Sequence, residues 1–136
     1  VNQTNKPFIA THSNSRTVTR NPRNLTDEQI KIIISRGGII GLNLHNAFLN
    51  NNPYKACTED ILRHCEYMLS LGCENFLCFG TDFDGCDLPK DIVGSDSIGG
   101  IYELFLKNNY NESILKKIFY ENAYKFFENF DNQRIM

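Results

Sequence analysis

Three places along the chain put side chains that bind metals or move protons directly behind a short apolar run. They are His12-Ser13 after Pro7 to Thr11, His45-Asn46 after Ile39 to Leu44, and Asp82-Phe83-Asp84-Gly85 after Asn75 to Phe79. A neutral imidazole ligates metals and carries protons, and a carboxylate is an acceptor or a general base. Together they suit a hydrolase that gathers groups from several strands to one point. Asp82, Asp84 and Gly85 do not make a calcium loop. The EF-hand pattern sets acids at positions 1, 3 and 5 and glycine at 6, whereas Gly85 stands at position 4 counted from Asp82. One of the two carboxylates is expected to point inward and the other to hydrogen-bond its own turn, and periodicity does not say which.

The elements that must position these groups alternate. Pro7 to Thr11, Ile39 to Leu44 and Asn75 to Phe79 are continuously apolar and of strand length. Between the first two, Thr26 and Gln29 form a capping box, Leu25 can staple onto Ile30, and Gly37-Gly38 ends the helix. Between the second and third, a helix starts at Thr58 with Glu59 and Asp60 in its first turn. Its apolar residues Ile61, Leu62, Cys65, Met68 and Leu69 fall at helical spacing until Gly72. After an irregular stretch to about Asp96, the spacing predicts a helix over 98–107 and, from the cap Asn111, one amphipathic helix over 112–130.

Short apolar strands separated by helices indicate an α/β chain with a parallel sheet covered by helices, in which functional groups project from loops after the strand C-termini. Three strands leave two open edges. A full (β/α)8 barrel takes about 250 residues, so residues 1–136 read as one partial barrel, a little under half of one.

Composition excludes several classes. With 41% hydrophobic residues and 12% aromatics the chain can bury a core, and a formal net charge of -2 leaves no footprint for nucleic acid. No apolar run reaches the length of a membrane span, and the first residues lack the order of a signal peptide. Cys57, Cys65, Cys73, Cys78 and Cys86 are odd in number and form no C-x-x-C pair. They read as free thiols in a reducing, cytoplasmic compartment. The sequons at Asn2, Asn24 and Asn111 are what so asparagine-rich a chain carries by chance.

The stretches T-H-S-N-S-R (Thr11 to Arg16), P-R-N-L-T-D-E-Q-I (Pro22 to Ile30), G-G-I-I-G-L-N (Gly37 to Asn43) and G-T-D-F-D-G (Gly80 to Gly85) resemble the renal or membrane dipeptidase family of zinc metallopeptidases. The resemblance runs from about Pro7 to Phe127. It implies that residues 1–136 are the C-terminal portion of a metal-dependent hydrolase of the (β/α)8 TIM-barrel type, with two zinc ions at the C-terminal face and dipeptides as substrates. His12 would be the zinc ligand after the sixth strand, and Arg23 would grip the substrate's C-terminal carboxylate. Asp82, after the eighth strand, would meet the substrate amine and transfer a proton. His45 and Asn43 are candidates for lining the substrate pocket. Asp84 falls to a structural place in its turn, Tyr54 to a plain loop position, and His64 to a structural place on the outer helix layer, away from the strand ends.

The family's His-x-Asp, its bridging glutamate, its fifth-strand histidine and the histidine that steadies the oxyanion have no counterpart here. With one protein ligand of the usual set, the chain alone is expected not to form the two-metal site and to be inactive by itself. Its expected partners are a dipeptide and, through the open edges, the N-terminal half of the barrel or further copies of itself. The alternative is a non-catalytic remnant that associates with another chain.

Overall fold

The computed structural model describes residues 4–135, so the sequon at Asn2 lies outside the described residues. Three strands, β1 (Ile9–Ala10), β2 (Ile39–Leu42) and β3 (Leu77–Phe79), form one parallel sheet in the order β1-β2-β3. Ile9 pairs with Ile39 and Ala10 with Ile40; across the other edge of β2, Ile40 pairs with Leu77 and Leu42 with Phe79. Every residue of β2 is buried, as expected of a central strand with no apolar-polar alternation. The strands are shorter than their apolar runs because the chain turns off early. A Cβ at Gly38 would lie 2.2 Å from the Phe8 carbonyl oxygen, so the start of β2 is packed directly against the backbone before β1.

Helix α1 (Asp27–Ser35) opens with the expected capping box: Thr26 accepts from the Gln29 amide, and the Gln29 side chain accepts from the Thr26 amide at 2.9 Å. Gly37 leaves it at φ 65 and Gly72 performs the same turn at φ 97. A four-residue helix, α2 (Asn46–Leu49), which the apolar pattern did not announce, follows β2, with a 3-10 turn at Pro53–Lys55. Helix α3 (Thr58–Ser70) presents Ile61, Leu62, Cys65 and Met68 to the core, and α4 (Ile98–Lys107) adds Ile101 and Phe105. Each such side chain contributes roughly 1.5–3 kcal/mol on burial.

The single C-terminal helix expected from the sequence is divided. Asn111 caps α5 (Glu112–Lys116), a π turn occupies Lys117–Glu121, and α6 (Asn122–Ile135) continues. The extra residue of the π turn rotates the following face. Asn122 is thereby buried, and its amide donates to the Glu74 and Leu77 carbonyls at 2.8 and 2.9 Å, anchoring the helix beneath β3. Tyr120, Tyr124 and Phe127 stay exposed along one groove of this region. Among the described residues β1 and β3 each keep one unpaired edge, and no helix is long and apolar enough to cross a membrane.

Candidate functional site

Because the three strands are parallel, the segments after β1, β2 and β3 leave from one end of the sheet. Two glycines let these segments close up further. A Cβ at Gly41 would stand 2.2 Å from the Thr11 carbonyl oxygen, and one at Gly80 only 1.8 Å from it. The backbone just before His12 therefore leans across β2 onto the backbone just before Asp82. The Ser13 amide bonds the Gly41 carbonyl at 3.0 Å and locks this crossing.

His12 is half-buried, with Nδ1 at 2.7 Å from the Thr11 hydroxyl, which leaves Nε2 as the ring's outward ligand atom. Arg23 is exposed. Its backbone amide donates to Asn21 Oδ1 at 2.9 Å, its carbonyl accepts from the Ser13 hydroxyl at 3.2 Å, and its guanidinium carbon lies 5.8 Å from the centre of the Phe48 ring. Among the described residues no protein hydrogen bond engages that guanidinium. His45 precedes α2, with Nδ1 at 3.0 Å from the Asp87 carbonyl oxygen and its ring edge-on to Phe48 at 4.7 Å. Phe48 thus joins the β1 loop to the β2 loop. Sequence reasoning passed it over, although an aromatic in a post-strand segment was the available signal.

Asp82 is exposed and in the left-handed region at φ 59, as is Asp84 at φ 66. Aspartate tolerates this region better than most residues. The Gly85 amide bonds the Asp82 carbonyl at 3.0 Å, and a Cβ on Gly85 would meet Asp82 Oδ1 at 2.5 Å. The glycine of D-F-D-G therefore makes room for the aspartate's carboxylate.

Asn43 has a different place from a pocket-lining one. It is fully buried, its Oδ1 accepts from the His45 amide at 2.6 Å, and its Nδ2 donates to the Gly80 carbonyl at 3.4 Å. Asn14 pairs with it reciprocally: the Asn43 amide donates to Asn14 Oδ1 at 2.7 Å, and Asn14 Nδ2 donates to the Asn43 carbonyl at 2.9 Å. Asn24, also buried and so closed to any glycan, accepts from the Asn14 amide at 3.1 Å. It donates to the Thr19 and Phe48 carbonyls at 3.1 and 2.9 Å.

His64 is structural, as expected, but it faces inward from α3 and reaches the loops after β1 and β2. Nδ1 accepts from the Ser15 amide at 3.2 Å, so Nε2 carries the proton and donates to the Leu49 carbonyl at 3.1 Å. Burial holds its pKa down at about 4 against an ordinary 6.5, although the Leu49 bond acts the other way.

Among the described residues no group of three or more His, Cys, Asp or Glu side chains is placed to hold a metal ion. A catalytic zinc needs three protein ligands, so this donor set does not fit a complete centre.

Relatives agree with this partial architecture. The sequence matches the membrane dipeptidase family, peptidase family M19, over residues 1–134. It is 31% identical over 126 residues to an uncharacterised protein from the pqqA 5′ region of Klebsiella pneumoniae, covering 90% of this chain and 46% of that one. Among solved structures, dipeptidase AC, a metallopeptidase of family M19, superposes with a TM-score of 0.88 at 31% identity, covering 93% of this chain and 38% of that one. A metallopeptidase from Rhodobacter sphaeroides, liganded with a phosphinate mimic of the dipeptide L-Ala-D-Ala, gives 0.85 at 32% identity, over 90% of this chain and 36% of its own. The chain thus spans less than half the length of each of these relatives. With these likenesses and its three parallel strands matching a portion of their barrels, the chain belongs to the membrane dipeptidase family, peptidase family M19.

Proposed function

We propose that this chain supplies the carboxylate-binding and proton-transferring share of a dipeptide-hydrolysing site, in a metal-dependent dipeptidase completed by barrel segments other than these. The observation that carries the reading is the Arg23 guanidinium, stacked over Phe48 beside His45 with its donors unengaged by the described residues. A planar fork of donors matches a carboxylate in two parallel bonds, and the end of a dipeptide is such a carboxylate. The Rhodobacter sphaeroides relative is liganded with a dipeptide mimic, which supports the same substrate class here. Asp82, exposed on the neighbouring loop, would hold the peptide's ammonium end and pass a proton to the leaving amine. His45 would line the space between them, and His12 would offer Nε2 as one ligand of the family's zinc ions, whose remaining ligands these residues do not provide. The five free thiols support a reducing compartment, the cytoplasm.

The unpaired edges of β1 and β3 favour a second reading, a remnant that only binds another chain. Hydrolysis of Ala-Ala with added zinc separates the two. The 136-residue chain alone is expected to be inactive, and a complete protein carrying these residues active. In the complete protein Asp82→Ala should lower kcat by about 10²–10⁴ with folding intact. Turnover by the chain alone would overturn the shared-site reading, and near-normal turnover of the variant would remove Asp82 from the chemistry.

A further inference from the structure

We infer that Asn14 is a positioning residue that couples the Arg23 loop to the Asp82 loop and so sets the length of peptide the site accepts. The inference rests on the reading that Arg23 and Asp82 hold opposite ends of a dipeptide.

The coupling is a continuous run of buried amides. Asn24, next to Arg23 in the chain, accepts from the Asn14 backbone amide at 3.1 Å, while the Asn14 carbonyl accepts from the Leu25 amide at 2.8 Å. The Asn14 side chain then pairs with both the N–H and the C=O of Asn43, replacing strand pairing with a side chain at a point where β1 has already ended. Asn43 passes the link on, accepting from the His45 amide and donating to the Gly80 carbonyl two residues before Asp82. Asn14, Asn24 and Asn43 are all at most 1% exposed, so water cannot substitute for a lost partner. No substrate group need touch Asn14, since it acts through the loops it joins.

Length selection follows from the stiffness of this run. An added residue lengthens an extended peptide by about 3.5 Å. Packed groups held in this way move by roughly 0.5 Å per axis. Loops held in this way vary their separation by far less than one residue's length, so a spacing that suits a dipeptide excludes a tripeptide, and a loosened one does not discriminate.

Native-state hydrogen exchange of the wild-type chain in graded urea reads the coupling without any substitution. The amides of Leu25, Asn43 and His45 should open as one unit, distinct from the helices. In Asn14→Ala their protection should fall about tenfold or more while α3 keeps its own. Separate openings of the three amides in the wild type overturn the coupling, as does unchanged protection in a folded Asn14→Ala. Should that variant fail to fold, the wild-type exchange decides alone. Peptide length is read in the complete protein carrying these residues, from kcat/KM for Ala-Ala against Ala-Ala-Ala. The wild type should cleave the dipeptide in preference, and Asn14→Ala or Asn14→Ser should cleave both alike. Equal preference in wild type and variant removes the length role. A wild type that cleaves neither peptide overturns the dipeptide reading and the length role with it, and the exchange data then judge the coupling by themselves.

Discussion

The segments after β1 and β2 are built differently from the segment after β3. The first two bury Asn14, Ser15, Thr19, Asn24 and Asn43 almost completely and tie them to one another and to His64 through side-chain hydrogen bonds. The third keeps Asp82 and Asp84 exposed at positive φ, between two ties to the β2 segment: the Gly80 carbonyl accepts from Asn43 Nδ2 at 3.4 Å and the Asp87 carbonyl from the Asn46 amide at 2.8 Å. Arg23 and His12 therefore stand on a frame set by specific buried amides. Asp82 stands on a turn set by backbone conformation and by the space glycines leave. The same rim is made rigid by two different means, and substitutions should separate them.

The largest effect should come where the two regions touch. In Gly80→Ala the new Cβ would lie 1.8 Å from the Thr11 carbonyl oxygen, and backbone on both sides leaves nothing flexible to yield. The clash should cost about 4 kcal/mol or more, seen as a lowered urea midpoint. A midpoint unchanged from wild type would show that the crossing of Thr11 over β2 onto Gly80 is not a fixed part of the fold.

A smaller effect, confined to the first region, is expected from acid. The His64 ring accepts from the Ser15 amide only while neutral, and burial depresses its pKa to about 4. The unfolded chain takes up the proton near 6.5 and the native state does not until about 4. The unfolded state thus binds more protons between these values, so stability present above pH 6.5 falls as the pH drops toward 4, by about 3 kcal/mol. NMR titration of the His64 ring protons checks the cause directly, and a midpoint near 6.5 in the folded protein would contradict it.

This histidine shows where sequence reading stops. Its helical neighbours Ile61, Cys65 and Met68 marked a structural role, and the structure buries it with them. That it bridges two loops could not be read from spacing, because its partners Ser15 and Leu49 lie 49 and 15 residues away. The strands, the capping box at Thr26 and the glycine stops were legible because each is written in local pattern. Asn43 looked like a pocket residue because it follows a strand, but neither period nor propensity reports that a buried amide is already satisfied at both ends. The π turn before Asn122 was equally hidden, since its purpose is a bond from Asn122 to Leu77, 45 residues back.

The smallest effect belongs to the β3 segment and tests whether conformation alone sets it. Asp84 sits at φ 66, where a residue with a Cβ but no short polar side chain is disfavoured by roughly 1–2 kcal/mol. Asp84→Ala should therefore destabilise by about 1 kcal/mol. Asp84→Gly should stay within about 0.5 kcal/mol of wild type, because relief at positive φ offsets the entropy glycine adds to the unfolded chain. If the carboxylate mattered through its charge or a bond instead, the alanine and glycine variants would lose stability alike. The ordering of the two, measured by urea unfolding at neutral pH, distinguishes a turn held by backbone geometry from one held by side-chain chemistry. The same pair leaves the Asn14, Asn24 and Asn43 bonds intact, so the amide protection of Asn43 should be unaltered in both variants.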